Sequence, residues 1–288
     1  MPLLSPQRRA RLADSLWAAF ITLVYHALRL LPARVASNAG ERLSRRIGPA
    51  HNPGSDRAAM ENLRRIRPED EEPGRAEAVA RMWGHVGRLQ AETAVIDRMW
   101  SAAQISVRNE ASVLRTLATK RPIVFVFAHL GNWELLAIAA QRLGTVLNVV
   151  YEFLPERFEL ELALRARASL GYRLIPPNRA GVRQMLAALG RREAVALAID
   201  EFKGGNVIAP PLGRPPRAGS NAEFAAKLAR RFEALVIPAY CLRSAPFAFE
   251  LTFLEPLERP DAAQLNALCE TWIRAHAEQW YMLPRLRI

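Results

Sequence analysis

The stretch Ile123-Val124-Phe125-Val126-Phe127-Ala128-His129-Leu130-Gly131-Asn132-Trp133-Glu134 runs six apolar residues straight into a polar turn. An apolar run this short and this continuous reads as a strand buried on both faces. Leu130-Gly131-Asn132 predicts a tight turn, with Asn132 as a helix N-cap. Trp133 and Glu134 then open a helix. A strand that ends in a turn and a helix is the repeating unit of an α/β sheet, and the reactive groups of such sheets gather just beyond the carboxyl ends of strands.

The same alternation continues outward from this stretch. Further strands are expected at 146–151, 194–199, 235–240 and 247–253, with helices at about 132–143, 156–170, 179–189 and 220–232. A final helix is expected at about 261–280, carrying Leu265, Leu268, Trp272, Ile273 and His276 along one stripe. Upstream, Val79, Met82, Trp83, Val86, Leu89, Thr93, Ile96 and Trp100 recur every three or four residues and predict a packing helix. Arg81, Arg88 and Glu92 fall on its other side with no obvious chemistry. Residues 49–74 are rich in Pro, Asn, Asp and charge and read as a loop-heavy connection. The expected fold class is α/β, a mixed central sheet with helices on both faces, preceded by a helical membrane-associating segment. Three regions follow: an anchor at 1–48, a loop and packing helix at 49–104, and an α/β core at 105–288.

That anchor begins with Arg8, Arg9 and Arg11 and continues through an apolar run from Leu16 to Leu31, interrupted by His26 and Arg29. The uninterrupted part falls short of the roughly 20 apolar residues that span a bilayer. A short span, or a helix lying in the interface with Trp17 and Tyr25 at headgroup depth, fits it best. A secretory signal with cleavage near Ser37-Asn38-Ala39 is disfavoured by Arg29 and Arg34. A buried first helix of the globular domain is the remaining alternative.

The chain has 288 residues and a formal charge of +12, carried almost wholly by arginine. Arginine presents a planar fork that matches phosphate and carboxylate, so anionic partners are expected, membrane headgroups among them. No nucleic-acid recognition module accompanies the charge, and no nucleic acid is expected as partner. Cys241 and Cys269 have neither metal-ligand nor redox spacing and read as buried thiols in reducing surroundings. There is no G-x-S-x-G, no P-loop and no dinucleotide-binding glycine pattern, and His129 with Glu134 lacks a third zinc ligand. Neither cofactor nor metal is expected.

His129 thus stands at a strand end with Glu134 one turn into the next helix, close enough for one side chain to fold back on the other. A carboxylate on one ring nitrogen fixes the tautomer and leaves the other nitrogen to accept a proton, a pair able to activate a hydroxyl without a covalent intermediate. A structural histidine is the other reading of these residues.

His-x-x-x-x-Glu at the end of the first core strand resembles the signature of the glycerolipid acyltransferase superfamily. The fuller string His129-Leu130-Gly131-Asn132-Trp133-Glu134 resembles its lipid A biosynthesis branch, the late acyltransferases. The likeness runs from about Arg81 to the carboxyl end through Arg179–Leu189, Asp200, Leu212-Gly213-Arg214-Pro215, Val236-Ile237-Pro238 and Glu278-Gln279-Trp280-Tyr281. It implies transfer of a fatty acyl chain from an acyl carrier protein thioester to a hydroxyl of a phosphorylated lipid A precursor. His129 would be the general base and Glu134 its orienting partner, with Asn132, Arg179, Arg183, Asp200 and Arg217 meeting substrate. The place implied is the bacterial inner membrane, with the site facing the cytoplasm. Arg165, Arg167 and Arg217 read equally well as solvated surface arginines. The chain departs from the family's pattern at Glu152-Phe153-Leu154-Pro155 and at Pro211-Leu212-Gly213. Alternatives are acylation of another glycolipid or lysophospholipid, and a non-catalytic binder of anionic lipid.

Overall fold

The computed structural model describes residues 6–151, 157–168, 170–203 and 205–288, with the backbone alone at 6–17, 157–160 and 162–163. Five helices come first: α1 (Pro6–Leu30), α2 (Ala33–His51), α3 (Pro53–Ile66), α4 (Glu72–Thr93) and α5 (Ile96–Ala102). Then follow β1 (Gln104–Arg108), α6 (Glu110–Ala118), β2 (Ile123–Phe127), α7 (Glu134–Arg142), β3 (Leu147–Val150), α8 (Arg157–Ala168), β4 (Arg173–Ile175), α9 (Arg179–Gly190) and β5 (Ala194–Ala198). The chain closes with β6 (Glu201–Lys203), β7 (Asn206–Ala209), α10 (Asn221–Phe232), β8 (Leu235–Ala245), β9 (Ala248–Phe253), β10 (Leu257–Glu258), α11 (Ala262–Ala275) and a 3₁₀ turn at Ala277–Gln279.

Among the described residues the main sheet has the order β1-β9-β8-β2-β5-β3-β4, with β10 paired to β8. Strand β2 lies between β8 and β5, parallel to both, while β8 and β9 run antiparallel. The expected mixed sheet is thus the observed one. Its centre is where an unbroken apolar run belongs. Val124 and Val126 pack into one core, with α4, α9, α10 and α11, and Ile123 and Phe125 into the other, with α5 and α7. Both faces are covered, so neither parity of β2 tolerates a polar residue.

Two expectations fail in the amino-terminal third. Residues 49–74 are mostly helical rather than loop, because Pro53 and Pro73 sit in helix first turns and Pro49 is accommodated in the last turn of α2. Pro53 starts α3 and Pro73 falls in the first turn of α4, positions where no N–H is needed. Residue 48 lies inside α2, which packs tightly on α4. A Cβ on Gly40 would stand 2.2 Å from the Gly87 carbonyl oxygen, and one on Gly87 as close to that of Gly40. Only glycine at both positions allows that approach. The single packing helix expected through Trp100 breaks at Ala94 and Val95 into α4 and α5.

Candidate active site

Register builds the centre of the site. Phe127 of β2 pairs with Ala198 of β5 and with Ala239 of β8. Two residues further along each chain, His129 and Asp200 emerge side by side past the carboxyl end of the sheet. The His129 backbone N–H donates to Asp200 Oδ2 at 2.8 Å, and its ring Nδ1 lies 2.8 Å from Asp200 Oδ1. The Trp280 indole N–H also donates to Oδ2, at 2.9 Å. Asp200 is thus a buried carboxylate met by three donors, its side chain fully enclosed while that of His129 stays 19% exposed. With Nδ1 donating to a carboxylate, the basic lone pair is placed on Nε2.

Aromatic rings frame the imidazole. Trp133 meets it edge-on with ring centres 4.7 Å apart, and Phe127 does so at 5.8 Å. Tyr281 backs Trp133 at 5.2 Å, and its backbone N–H donates to the His129 carbonyl at 2.9 Å. Gly131 turns the chain with a φ of +57°, and a Cβ there would stand 2.6 Å from the Cys241 carbonyl oxygen. The turn therefore admits glycine alone, both for its conformation and for its closeness to β8.

Glu134 does not hold the ring as expected. Its Oε1 accepts from Arg167 Nε at 2.9 Å and Nη2 at 2.5 Å, and its Oε2 accepts from the Tyr172 hydroxyl at 2.7 Å. Burial works against its charge, but Arg167, the Tyr172 hydroxyl and the nearby His129 outweigh it and keep Glu134 below the usual carboxylate range. Burial and then the Glu134 charge push Tyr172 well above the usual phenol range. The carboxylate bonded to the ring is Asp200, and Glu134 instead binds a cation and a phenol beside the histidine.

Asn132 and Asp200 were both expected to meet substrate. Asn132 is wholly buried and its Nδ2 donates to Glu92 Oε2 at 2.9 Å; Trp133, not Asn132, occupies the helix N-cap. Asp200 lines the cavity but serves the ring. Arg179 and Arg183 are exposed along α9, and Arg217 is exposed in the loop before α10. The departure at Glu152–Pro155 lies outside the described residues, as do the side chain of Trp17 and those of Arg8, Arg9 and Arg11.

Tyr172, Trp280 and Glu92 are not among the residues expected at the site, and Arg167 read equally well as binding or as a solvated surface arginine. Glu92 offered a faint signal, a carboxylate level with a histidine and two arginines on a helix otherwise packed by apolar residues.

Two hollows meet at Phe127. The larger, about 600 Å³, opens beside His129 and Asp200 between α9 and α10. Its apolar wall includes Val150, Val182, Met185, Leu197, Phe202 and Phe224, and Asn178, Ser220, Asn221 and Lys227 supply polar atoms. Helices α9 and α10 both start at its rim, capped by the side chains of Asn178 and Ser220. Their amino-terminal dipoles make that end of the cavity favourable for negative charge. Glu201 also faces this cavity, and burial raises it above the usual carboxylate range despite the Asn221 N–H. On the other face of the sheet a narrow space of about 40 Å³ runs under Trp133 and Glu134 between Leu136, Leu147, Val149 and Phe253.

The arrangement suits proton removal from a nucleophile bound in a largely apolar cavity. Neither cysteine is placed for covalent chemistry: both are buried, and burial pushes Cys241 up to about 12 and Cys269 well above the ordinary thiol range.

The crystal structure of the 1-acyl-sn-glycerophosphate acyltransferase PlsC from Thermotoga maritima matches 85% of this chain and 96% of its own, at 12% identity and a TM-score of 0.38. No curated protein matches in sequence. The family described as "Bacterial lipid A biosynthesis acyltransferase" matches residues 6–287, nearly the whole chain. The chain belongs to the bacterial lipid A biosynthesis acyltransferase family and is an acyltransferase.

Proposed function

We propose that this acyltransferase moves a fatty acyl chain from an acyl carrier protein thioester to a hydroxyl of a phosphorylated lipid A precursor, at the cytoplasmic face of the bacterial inner membrane. The observation that carries the reading is the His129 ring, held by buried Asp200 at the edge of a 600 Å³ cavity whose walls are mainly apolar.

In this reaction His129 Nε2 takes the proton of the acceptor hydroxyl as its oxygen attacks the thioester carbonyl carbon. The tetrahedral intermediate collapses with cleavage of the C–S bond, and the imidazolium returns its proton to the departing thiolate. Asp200 keeps Nδ1 protonated and stabilises the imidazolium as it forms. Glu134, Arg167 and Tyr172 set the charge beside the ring.

Electrostatics support the choice of substrates. Acyl carrier proteins are acidic and the acceptor carries phosphate, and a chain of charge +12 attracts both. Arg179, Arg183 and Arg217, next to the capped starts of α9 and α10, are the residues we assign to the acceptor phosphates. Membrane attachment is assigned to α1 and α2, where Phe20, Leu23, Leu30, Val35, Leu43 and Ile47 are exposed. Among the described residues no helix is long and apolar enough to cross a membrane.

Purified protein given labelled acyl carrier thioester and a phosphorylated disaccharide lipid should acylate that lipid. His129→Ala should lower turnover by about 10²-fold or more, the scale of a lost general base. Preference for a glycolipid without phosphate, or for a lysophospholipid, would reassign the acceptor. Full turnover by His129→Ala would remove the mechanism.

A further inference from the structure

Behind the turn that carries His129 lies a buried ionic network in which no member lines either hollow. Glu92, near the end of α4, is wholly enclosed. Its Oε1 accepts from the Ser37 hydroxyl of α2 at 2.6 Å. Its Oε2 accepts from Asn132 Nδ2 at 2.9 Å and from Arg243 Nη2 of β8 at 2.8 Å. Only 3% of the Arg243 side chain is exposed, and its guanidinium lies over the Phe249 ring at 4.5 Å.

The backbone of Arg243 continues the grip. Its N–H donates to Gln279 Oε1 at 2.8 Å, and Gln279 Nε2 donates back to its carbonyl at 3.1 Å. The Gln279 carbonyl in turn accepts from the Gly131 N–H at 3.2 Å. Gly131 and Asn132, two of the four residues between His129 and Glu134, are therefore held from one side by a single ion pair and its immediate neighbours. The other side of the turn is held by Asp200 and Trp280.

Burying a carboxylate and a guanidinium is an expensive way to fill a core, and an apolar pair of similar volume often serves stability as well or better. The network is not even fully satisfied: Asn132 Oδ1 and Arg243 Nε are buried without a hydrogen-bond partner. Directional bonds set the position of a backbone in a way that apolar contacts do not. They converge here on the segment that sets the distance between the proton-accepting ring and Glu134.

We propose that Glu92 and Arg243 are positioning residues for acyl transfer, their buried ion pair gripping Asn132 and fixing the turn between His129 and Glu134. The proposal rests on His129 acting as the base. In the full-length protein, Glu92→Gln removes the charge while keeping the shape, and Asn132→Ala frees the turn while leaving the ion pair intact. Transfer of labelled acyl groups from carrier thioester to the phosphorylated disaccharide lipid is then measured for both, with His129→Ala alongside and folded fraction followed by circular dichroism. Each folded variant should lose about 10- to 100-fold in kcat, the cost of an ångström-scale misplacement, with KM changed less than about threefold. A folded Asn132→Ala or Glu92→Gln with unaltered kcat overturns the proposal, as does a loss confined to KM or to folded fraction. Should Glu92→Gln fail to fold, Asn132→Ala decides alone. If His129→Ala is inactive while both variants are fully active, the positioning role fails and the base stands; if His129→Ala is active, the base itself fails.

Discussion

His129 and Asp200 are bonded twice, backbone N–H to Oδ2 and ring Nδ1 to Oδ1, both at 2.8 Å. A double attachment fixes the ring's tautomer and its position relative to the sheet at once. Asp200→Asn keeps the volume but presents an amide that can satisfy either contact only by turning its NH₂ against the other donor. Turnover should fall by about 10²- to 10⁴-fold with the fold intact, as when a triad carboxylate is replaced by its amide. Steady-state kinetics on the folded variant settles it, and near-normal turnover would show that Asp200 is not the orienting group.

Arg167 is the cation that lets Glu134 stay charged in the interior. Removing it in Arg167→Gln leaves burial to act on Glu134 with less opposition, so the carboxylate pKa must rise. Charge on Glu134 contributes stability above its unfolded pKa, and that contribution disappears as pH falls through the folded value. In the variant this loss sets in at higher pH. The acid limb of kcat/KM should shift upward, together with a stability loss below the roughly 3–5 kcal/mol of a fully buried broken pair, since 24% of the Arg167 side chain is exposed. An unmoved acid limb would separate Glu134 from the rate.

His85 of α4 supplies a separate acid sensitivity. Burial, and then the charges of Arg243, Arg88 and Arg81, lower its pKa to about 3. The unfolded chain therefore binds more protons than the folded one between about pH 6.5 and 3, and stability declines as pH falls across that window, by up to about 1.4 kcal/mol per pH unit. His85→Gln cannot take up that proton. Urea unfolding at pH 7 and pH 4.5 should show a shallower acid loss for His85→Gln than for the parent protein, and parallel losses would contradict the assignment.

The exposed residues of the first two helices should carry membrane binding. Phe20, Leu23 and Leu30 share one stripe of α1 by their spacing, and Leu43 and Ile47 stand one turn apart on α2. Flotation with anionic vesicles should weaken by about 10³-fold or more in the triple variant Phe20→Ser, Leu23→Ser, Leu43→Ser, since burying each such side chain contributes about 1.5–3 kcal/mol. Neutral vesicles should bind the parent protein less well than anionic ones. Undiminished flotation of the triple variant would place the contact elsewhere.

Much of the fold is legible in local pattern. The apolar run at Ile123–Phe127 needs burial on both sides, and only a central strand supplies it. The expected strands at 146–151, 194–199, 235–240 and 247–253 all find counterparts. Of the ones missed, β4, β6, β7 and β10 are two to four residues long, too short for a period to show, whereas β1 is a five-residue edge strand that alternates as Gln104-Ile105-Ser106-Val107-Arg108. Helix α3 and the start of α4 were hidden by Pro53 and Pro73, whose position in a first turn becomes evident only once the helix is known.

Sequence alone determined which residues cluster at the end of β2, because the change from strand to turn to helix is written within a dozen neighbouring residues. Tertiary structure decided which carboxylate serves which partner. Asp200 reaches His129 because β2 and β5 run parallel in a register that aligns Phe127 with Ala198, seventy-one residues apart. Glu134 is claimed by Arg167 because α8 returns along that side of the sheet, and Glu92 reaches Asn132 because α2, α4 and β8 close around it. Hydrophobic period is a short-range property of a chain, whereas a hydrogen bond between distant side chains depends on how whole elements align.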